Sequence, residues 1–242
     1  MPIEELLRRN LDRLQLHPQY RGRLAPPTEL QVRLTKEWVL PNARHILADV
    51  YLLRREIDAE FSRDPAILKR VAEYDAEYPY GLCKELRDAV YKRMLREMES
   101  EKRPGMRALK RFAEEGGIAQ SFWGIDKGMY FQNAIQLGDA VLDAANDTVA
   151  IDKDSVILYP STAESAIKRL ESFEEYADVA QKYWHSRCYP NVYLPQLAPV
   201  YPIVAVKPVR RGRRILTLET DVNDLFFKNM FAGHRGAMFG LA

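Results

Sequence analysis

The hydrophobic periodicity of this chain changes at Gly116-Gly117, and that change does most to decide what it can fold into. Before the glycines, apolar residues recur every three or four positions, the spacing that lines one face of a helix; after them, short runs of strand character begin. Ile3, Leu7, Leu11 and Leu14 open the helical part, and Pro18 and Pro26-Pro27 interrupt it. Thr28 with Gln31 forms a capping-box pattern ahead of Leu30, Leu34 and Trp38, and Pro41 interrupts that stripe. Ile46, Val50, Leu53, Ile57 and Phe61 carry the next helix to Ser62-Arg63-Asp64-Pro65, a second capped start. The aromatic turn Tyr78-Pro79-Tyr80-Gly81 then leads into a helix with Cys83, Leu86, Val90, Met94 and Met98 on one face. Pro104-Gly105 separates it from a last helix over Met106 to Glu115.

Beyond the glycines, strands are expected at Ile118 to Ile125, Met129 to Leu137 and Ala140 to Ala145, the last two joined by a two-residue type II′ turn at Gly138-Asp139. Pairing Leu137 with Ala140 sets Ala134 opposite Asp143. It puts Gln132, Gln136 and Asp143 on one side of the sheet, with Asn133 and Asn146 on the other. Ser161 with Glu164 reads as a capping box, and Ala163, Ile167, Leu170, Phe173, Ala177, Ala180 and Trp184 predict a long amphipathic helix behind it. Cys188 to Pro202 reads as an ordered loop, followed by strands at Ile203 to Val206 and Ile215 to Glu219. The expected fold is α+β: a helical N-terminal half followed by a small antiparallel sheet. Residues 1–76 form a helical extension packed as one unit with an α+β core over 77–242.

Composition narrows the functional classes. Hydrophobic residues at 47% and charged residues at 29% exclude an apolar-poor disordered chain. No run approaches the roughly 18 apolar residues of a membrane span, and charges follow directly on Met1-Pro2-Ile3 where a signal peptide needs an apolar run. The expectation is therefore a cytoplasmic protein without a membrane partner. Two cysteines cannot build a disulfide framework. His185-Ser186-Arg187-Cys188 offers two ligands where a structural zinc takes four, so neither metal nor cofactor is expected. Phosphate-binding glycine loops, dinucleotide fingerprints, HExxH and GxSxG are absent from the sequence.

Cys83 is the leading candidate for chemistry. It falls in the first turn of its helix, where free N–H groups and the helix dipole favour a thiolate. A cysteine on an apolar stripe is more often a small core residue than a nucleophile. The succession of turn with Gly81, Cys83 at a helix start, and three strands carrying Asp143 resembles the transglutaminase-like and papain-like cysteine enzymes over about Tyr78 to Thr148. That resemblance implies their fold arrangement and an acyl or peptide substrate. It makes Cys83 the nucleophile, Asp143 the group that orients a histidine base, and Tyr80, Gly81 and Asn133 candidate binding residues. At the strand position where the family carries its histidine, this chain reads Phe131-Gln132-Asn133. Gln132 is then a polar site residue, and the base would come from His185 or His234; without one, the domain is an inactive relative.

Two other readings stand beside this one. Lys207 to Arg214 holds five basic residues and no acid, including Arg210, Arg211, Arg213 and Arg214, in an expected turn between strands. It suits an anionic partner or nucleic acid, and with a formal net charge of only +2 any such argument rests on this local patch. The tail, Leu225 to Phe239, presents Phe226, Phe227, Phe231 and Phe239 as a candidate homo-oligomer contact.

Overall fold

The computed structural model describes residues 1–13, 22–73, 76–192, 194, 196–197, 201, 203–208 and 214–218. The chain divides into two compact units. The first comprises Met1–Leu16, Arg21–Trp123 and Gln132–Ile167; the second comprises His17–Tyr20, Gly124–Phe131 and Lys168–Ala242. Residues 1–76 are thus mostly grouped with the sheet that follows them.

The helices of the first unit form where periodicity and caps agree. They are α1 (Ile3–Arg13), α2 (Glu29–Leu34), α3 (Ala43–Phe61), α4 (Pro65–Glu73), α5 (Cys83–Ser100) and α6 (Pro104–Glu114). Thr28 caps α2 by accepting from the Gln31 N–H, and Asp64 caps α4 by accepting from the Ala66 N–H at 2.8 Å. The N-terminus of α6 takes its cap from another helix: buried Asp49 of α3 accepts from the Gly105 N–H at 2.7 Å and the Met106 N–H at 3.3 Å. Gly105 is required there, because a Cβ would lie 2.6 Å from the Ile46 backbone.

Between α2 and α3 the helix loosens into a π-helical turn over Thr35–Val39, then tightens into a 3₁₀ turn around Pro41. Thr35 explains the irregularity. Its hydroxyl lies 2.8 Å from the Gln31 carbonyl and accepts from the Asp139 N–H at 2.9 Å, tying the helix to the tip of a β-hairpin. Gln31 does not reach back to complete its capping box. Fully buried, it accepts from the Ile118 N–H at 2.9 Å and donates to the Gly116 carbonyl at 3.0 Å, so it bonds both sides of the helix-to-strand junction.

The sheet that follows contains β1 (Ala119–Asp126), β2 (Tyr130–Leu137), β3 (Ala140–Asp143), β4 (Ile157–Tyr159) and β5 (Ile167–Lys168), in the order β4-β3-β2-β1-β5. Leu137 pairs with Ala140 and Ile135 with Leu142, with Gly138 at φ 65° as a type II′ turn requires. Period-two alternation gives the sheet two unlike faces. Ala119, Ile135, Leu137, Ala140 and Leu142 join the helical core with Leu86, Val90, Met94 and Met98 of α5. On the other face Phe122, Ala134, Val141 and Ile167 make a smaller cluster, with Leu24 and Tyr159 packed against it. Each large side chain in these cores contributes about 1.5–3 kcal/mol on full burial.

Two polar systems complete the first unit. Gln136 binds both the N–H and the carbonyl of Ala25, and Gln120 donates to the Arg23 carbonyl, which pins this extended segment along the sheet. Arg54, 1% exposed, pairs bidentately with Asp147 at 2.9 and 3.0 Å and donates to the Ala144 carbonyl and to Asp58. Burial alone would lower the Arg54 pKa, but the bonds and charges of Asp147 and Asp58 outweigh it and raise it. Tyr78 donates to the same Asp58, and burial together with that carboxylate pushes its phenol well up.

The second unit holds α7 (Phe173–Trp184) and a sheet of β6 (Arg187–Pro190), β7 (Ile203–Pro208) and β8 (Arg214–Leu218) in sequence order, antiparallel throughout. Three expectations need correction. No helix runs from Ser161 to Trp184. Ser161 does accept from the Glu164 N–H at 3.2 Å, as a capping box demands, but the chain remains a turn. Thr162 is held by Asp139 through both its N–H and its hydroxyl, Ala166 takes a left-handed φ of 56°, and Ile167 enters β5 to fill the second face of the sheet. The helix starts only at a second Ser-x-x-Glu box, where Ser172 accepts from the Glu175 N–H and Glu175 accepts from the Glu171 N–H. The loop expected from Cys188 begins instead within β6, because Arg187 to Pro190 pair with Val206 to Ile203. The expected third strand also stops early, at Asp143, whose carboxylate accepts from the Ala145 N–H at 2.9 Å and turns the chain.

Candidate functional site

The turn before α5 is held by Gly81, at φ 74°, whose N–H donates to the Thr148 carbonyl at 3.0 Å; Tyr80 beside it is exposed. Cys83 opens α5 and is half-buried, and the Asn133 side-chain amide donates to its sulfur at 3.1 Å. One turn on, buried Arg87 donates to the Phe122 carbonyl at 2.7 Å and lies 2.7 Å from the Asp88 carboxylate. Burial pushes the Cys83 thiol up, and the carboxylates of Glu85 and Asp143 add to it; the Asn133 bond and the Arg87 charge oppose it without prevailing.

Asp143 is also buried. Gln132 donates to one of its carboxylate oxygens and the Ala145 N–H donates to the other. Gln132 and Asn133 are neighbours on β2 and point to opposite faces. Cys83 therefore meets Asn133 on the helix-packed face, Asp143 meets Gln132 on the other, and the sheet stands between the two pairs. His185 belongs to the second unit, exposed at the C-cap of α7 with φ 53° and its own N–H bonded to the Ala180 carbonyl. His234 lies outside the described residues. Among the described residues, no three His, Cys, Asp or Glu side chains come together as a metal site.

Arg210, Arg211, Arg213 and the tail phenylalanines Phe226, Phe227, Phe231 and Phe239 also lie outside the described residues. The strands that carry the basic segment are described. Lys207 pairs with Ile215 and Pro208 with Arg214, and Arg214 is exposed on β8.

Comparison with known proteins finds no matching family model, no matching curated protein and no matching solved structure. The second unit's own residues therefore carry the functional argument. From 179 to 218, forty residues, the chain contains no Asp or Glu but seven basic residues: Lys182, Arg187, Lys207, Arg210, Arg211, Arg213 and Arg214. Since the whole protein has a formal charge of +2, the remainder carries +2 minus 7, or −5. This segregation was open to a windowed charge count, a wider window than the 207–214 cluster alone.

The same unit supplies aromatic rings that no local motif announces. Trp184, at the end of α7, packs on Phe131 with centroids 4.6 Å apart and on Tyr183 at 5.7 Å, while Phe131 packs on Tyr176 at 5.2 Å. Phe131 is 5% and Tyr176 1% exposed, yet Trp184 remains 38% exposed, with the Lys207 ammonium 6.0 Å from its ring centre. Tyr189 on β6 is exposed as well, and Arg187, two residues earlier on the strand, is an exposed cation.

Proposed function

We propose that the protein binds nucleic acid through the second unit, with the β7–β8 hairpin as the principal phosphate-contacting element. The carrying observation is the charge of residues 179–218, which hold seven cations and no carboxylate and whose described parts include the end of α7 and the strands β6, β7 and β8; Lys182 among them pairs with Asp178, just outside the span, at 2.6 Å. Exposed cations such as Arg187 and Arg214 are placed to meet phosphate, and the counterions released supply the affinity. The test is fluorescence anisotropy of a labelled oligonucleotide across a salt series. Replacing Arg210, Arg211, Arg213 and Arg214 by Ala is expected to weaken binding sharply and to flatten the log–log salt slope by about 3, near 0.7 per lost contact. Unchanged affinity and slope would remove the hairpin from the site.

Thiol chemistry at Cys83 in a transglutaminase-like or papain-like arrangement draws its support from the start of α5 at Cys83 and the strand order that follows. It lacks a base beside the sulfur among the described residues, and the raised thiol works against it. The geometry favours the binding reading.

A further inference from the structure

We infer that the nucleic acid bound is single-stranded and that one of its bases stacks on the exposed ring of Trp184; this rests on the reading of the second unit as a nucleic-acid binder. Trp184 is the last residue of α7, and its ring is backed by Phe131, itself seated on buried Tyr176. Phe131 and Tyr183 both pack against the ring, and 38% of the residue stays exposed to water. Exposing more than a third of the largest apolar side chain gains nothing for packing. Cations lie around it: Lys207 is over the ring, Arg187 follows it in the chain, and no acid occurs from 179 through 218, the nearest acid before it on α7, Asp178, being paired with Lys182.

A purely apolar partner would make no use of these cations, and a duplex would make no use of the ring, because its bases are already stacked on one another. A single strand uses both, its phosphates on the basic groups and an unstacked base on the indole. Lys207 stands over the ring at 6.0 Å and at the root of the basic hairpin, paired with Ile215.

The experiment uses the full-length protein, with oligothymidine of about 12 nucleotides, an abasic strand of equal phosphate count, and a duplex, all at about 0.1 M salt. Oligothymidine is expected to bind about five- to a hundred-fold tighter than the abasic strand and to quench tryptophan fluorescence, which the abasic strand leaves unchanged. Trp184→Ala should erase that difference without altering the salt slope, and Trp184→Phe should keep part of it. If Trp184→Ala fails to fold, the two strands on the unaltered protein still decide. Equal affinity for both strands, or preference for the duplex, overturns the stacking assignment. With binding still lost on replacing the four arginines, that result leaves the nucleic-acid reading standing. Binding to none of the three overturns both.

Discussion

The buried cations of the first unit and the exposed ones of the second are held differently. In the first, buried Arg54 is matched by two carboxylates and a carbonyl, and Arg87 by a carbonyl and the neighbouring Asp88. In the second, Lys168 and Lys182 pair with Glu175 and Asp178 at the surface, while Arg187 and Arg214 stand exposed in a span that contains no acid of its own. A cation taken out of water must be paired or it unfolds its surroundings, whereas one left in water without a partner adds little to stability and stays available to a ligand. The first arrangement is structural and the second is suited to binding.

The largest effect expected from this contrast is at Arg54. Arg54→Ala leaves the Asp147 and Asp58 carboxylates facing each other without their cation and should cost about 3–5 kcal/mol in a denaturant melt. A loss under about 1 kcal/mol would mean that the network is not structural. Gln31→Ala comes next. It strands the Ile118 N–H and the Gly116 carbonyl, at about 1–3 kcal/mol for each buried group left unmade.

A smaller, pH-dependent effect is expected at Cys83. Its unfolded thiol titrates near about 8.5, and the folded value is raised. Below the unfolded value both states hold the proton and stability is unaffected. As pH climbs from there toward the folded value, the unfolded chain sheds a proton that the native chain keeps, so stability falls, by at most about 1.4 kcal/mol per pH unit. Cys83→Ala should remove that alkaline slope. On the native protein, iodoacetamide should label Cys83 more slowly than Cys188; rapid labelling with a depressed apparent pKa would restore the thiolate reading. The smallest stability effect belongs to the hairpin, where replacing all four arginines should shift the melt by less than about 0.5 kcal/mol per site. A loss of several kcal/mol would place those arginines in the structural class after all.

Much of the first unit was legible beforehand because its signals are local. The Cys83 to Met98 stripe, the Thr28 and Asp64 caps and the Leu137–Ala140 register each depend on residues a few positions apart. The Ser161 box shows the limit of such signals. Its N–H to hydroxyl bond forms as expected, but Asp139, far away in sequence, holds Thr162 and the sheet claims Ile167. β6 was hidden for a related reason: Arg187 to Pro190 extend because β7 offers a partner, not through their own propensity.

By itself the sequence determined the α+β order, the caps, the hairpin register and the separation of charge, since periodicity, turn chemistry and composition are properties of neighbours along the chain. Only the tertiary structure decided that Cys83 meets Asn133 and not Asp143, that Asp49 caps a helix other than its own, and that Trp184 is propped open on Phe131 under Lys207. Those outcomes depend on which face of one element reaches which face of another. Alternation along a strand gives two faces, and packing chooses between them.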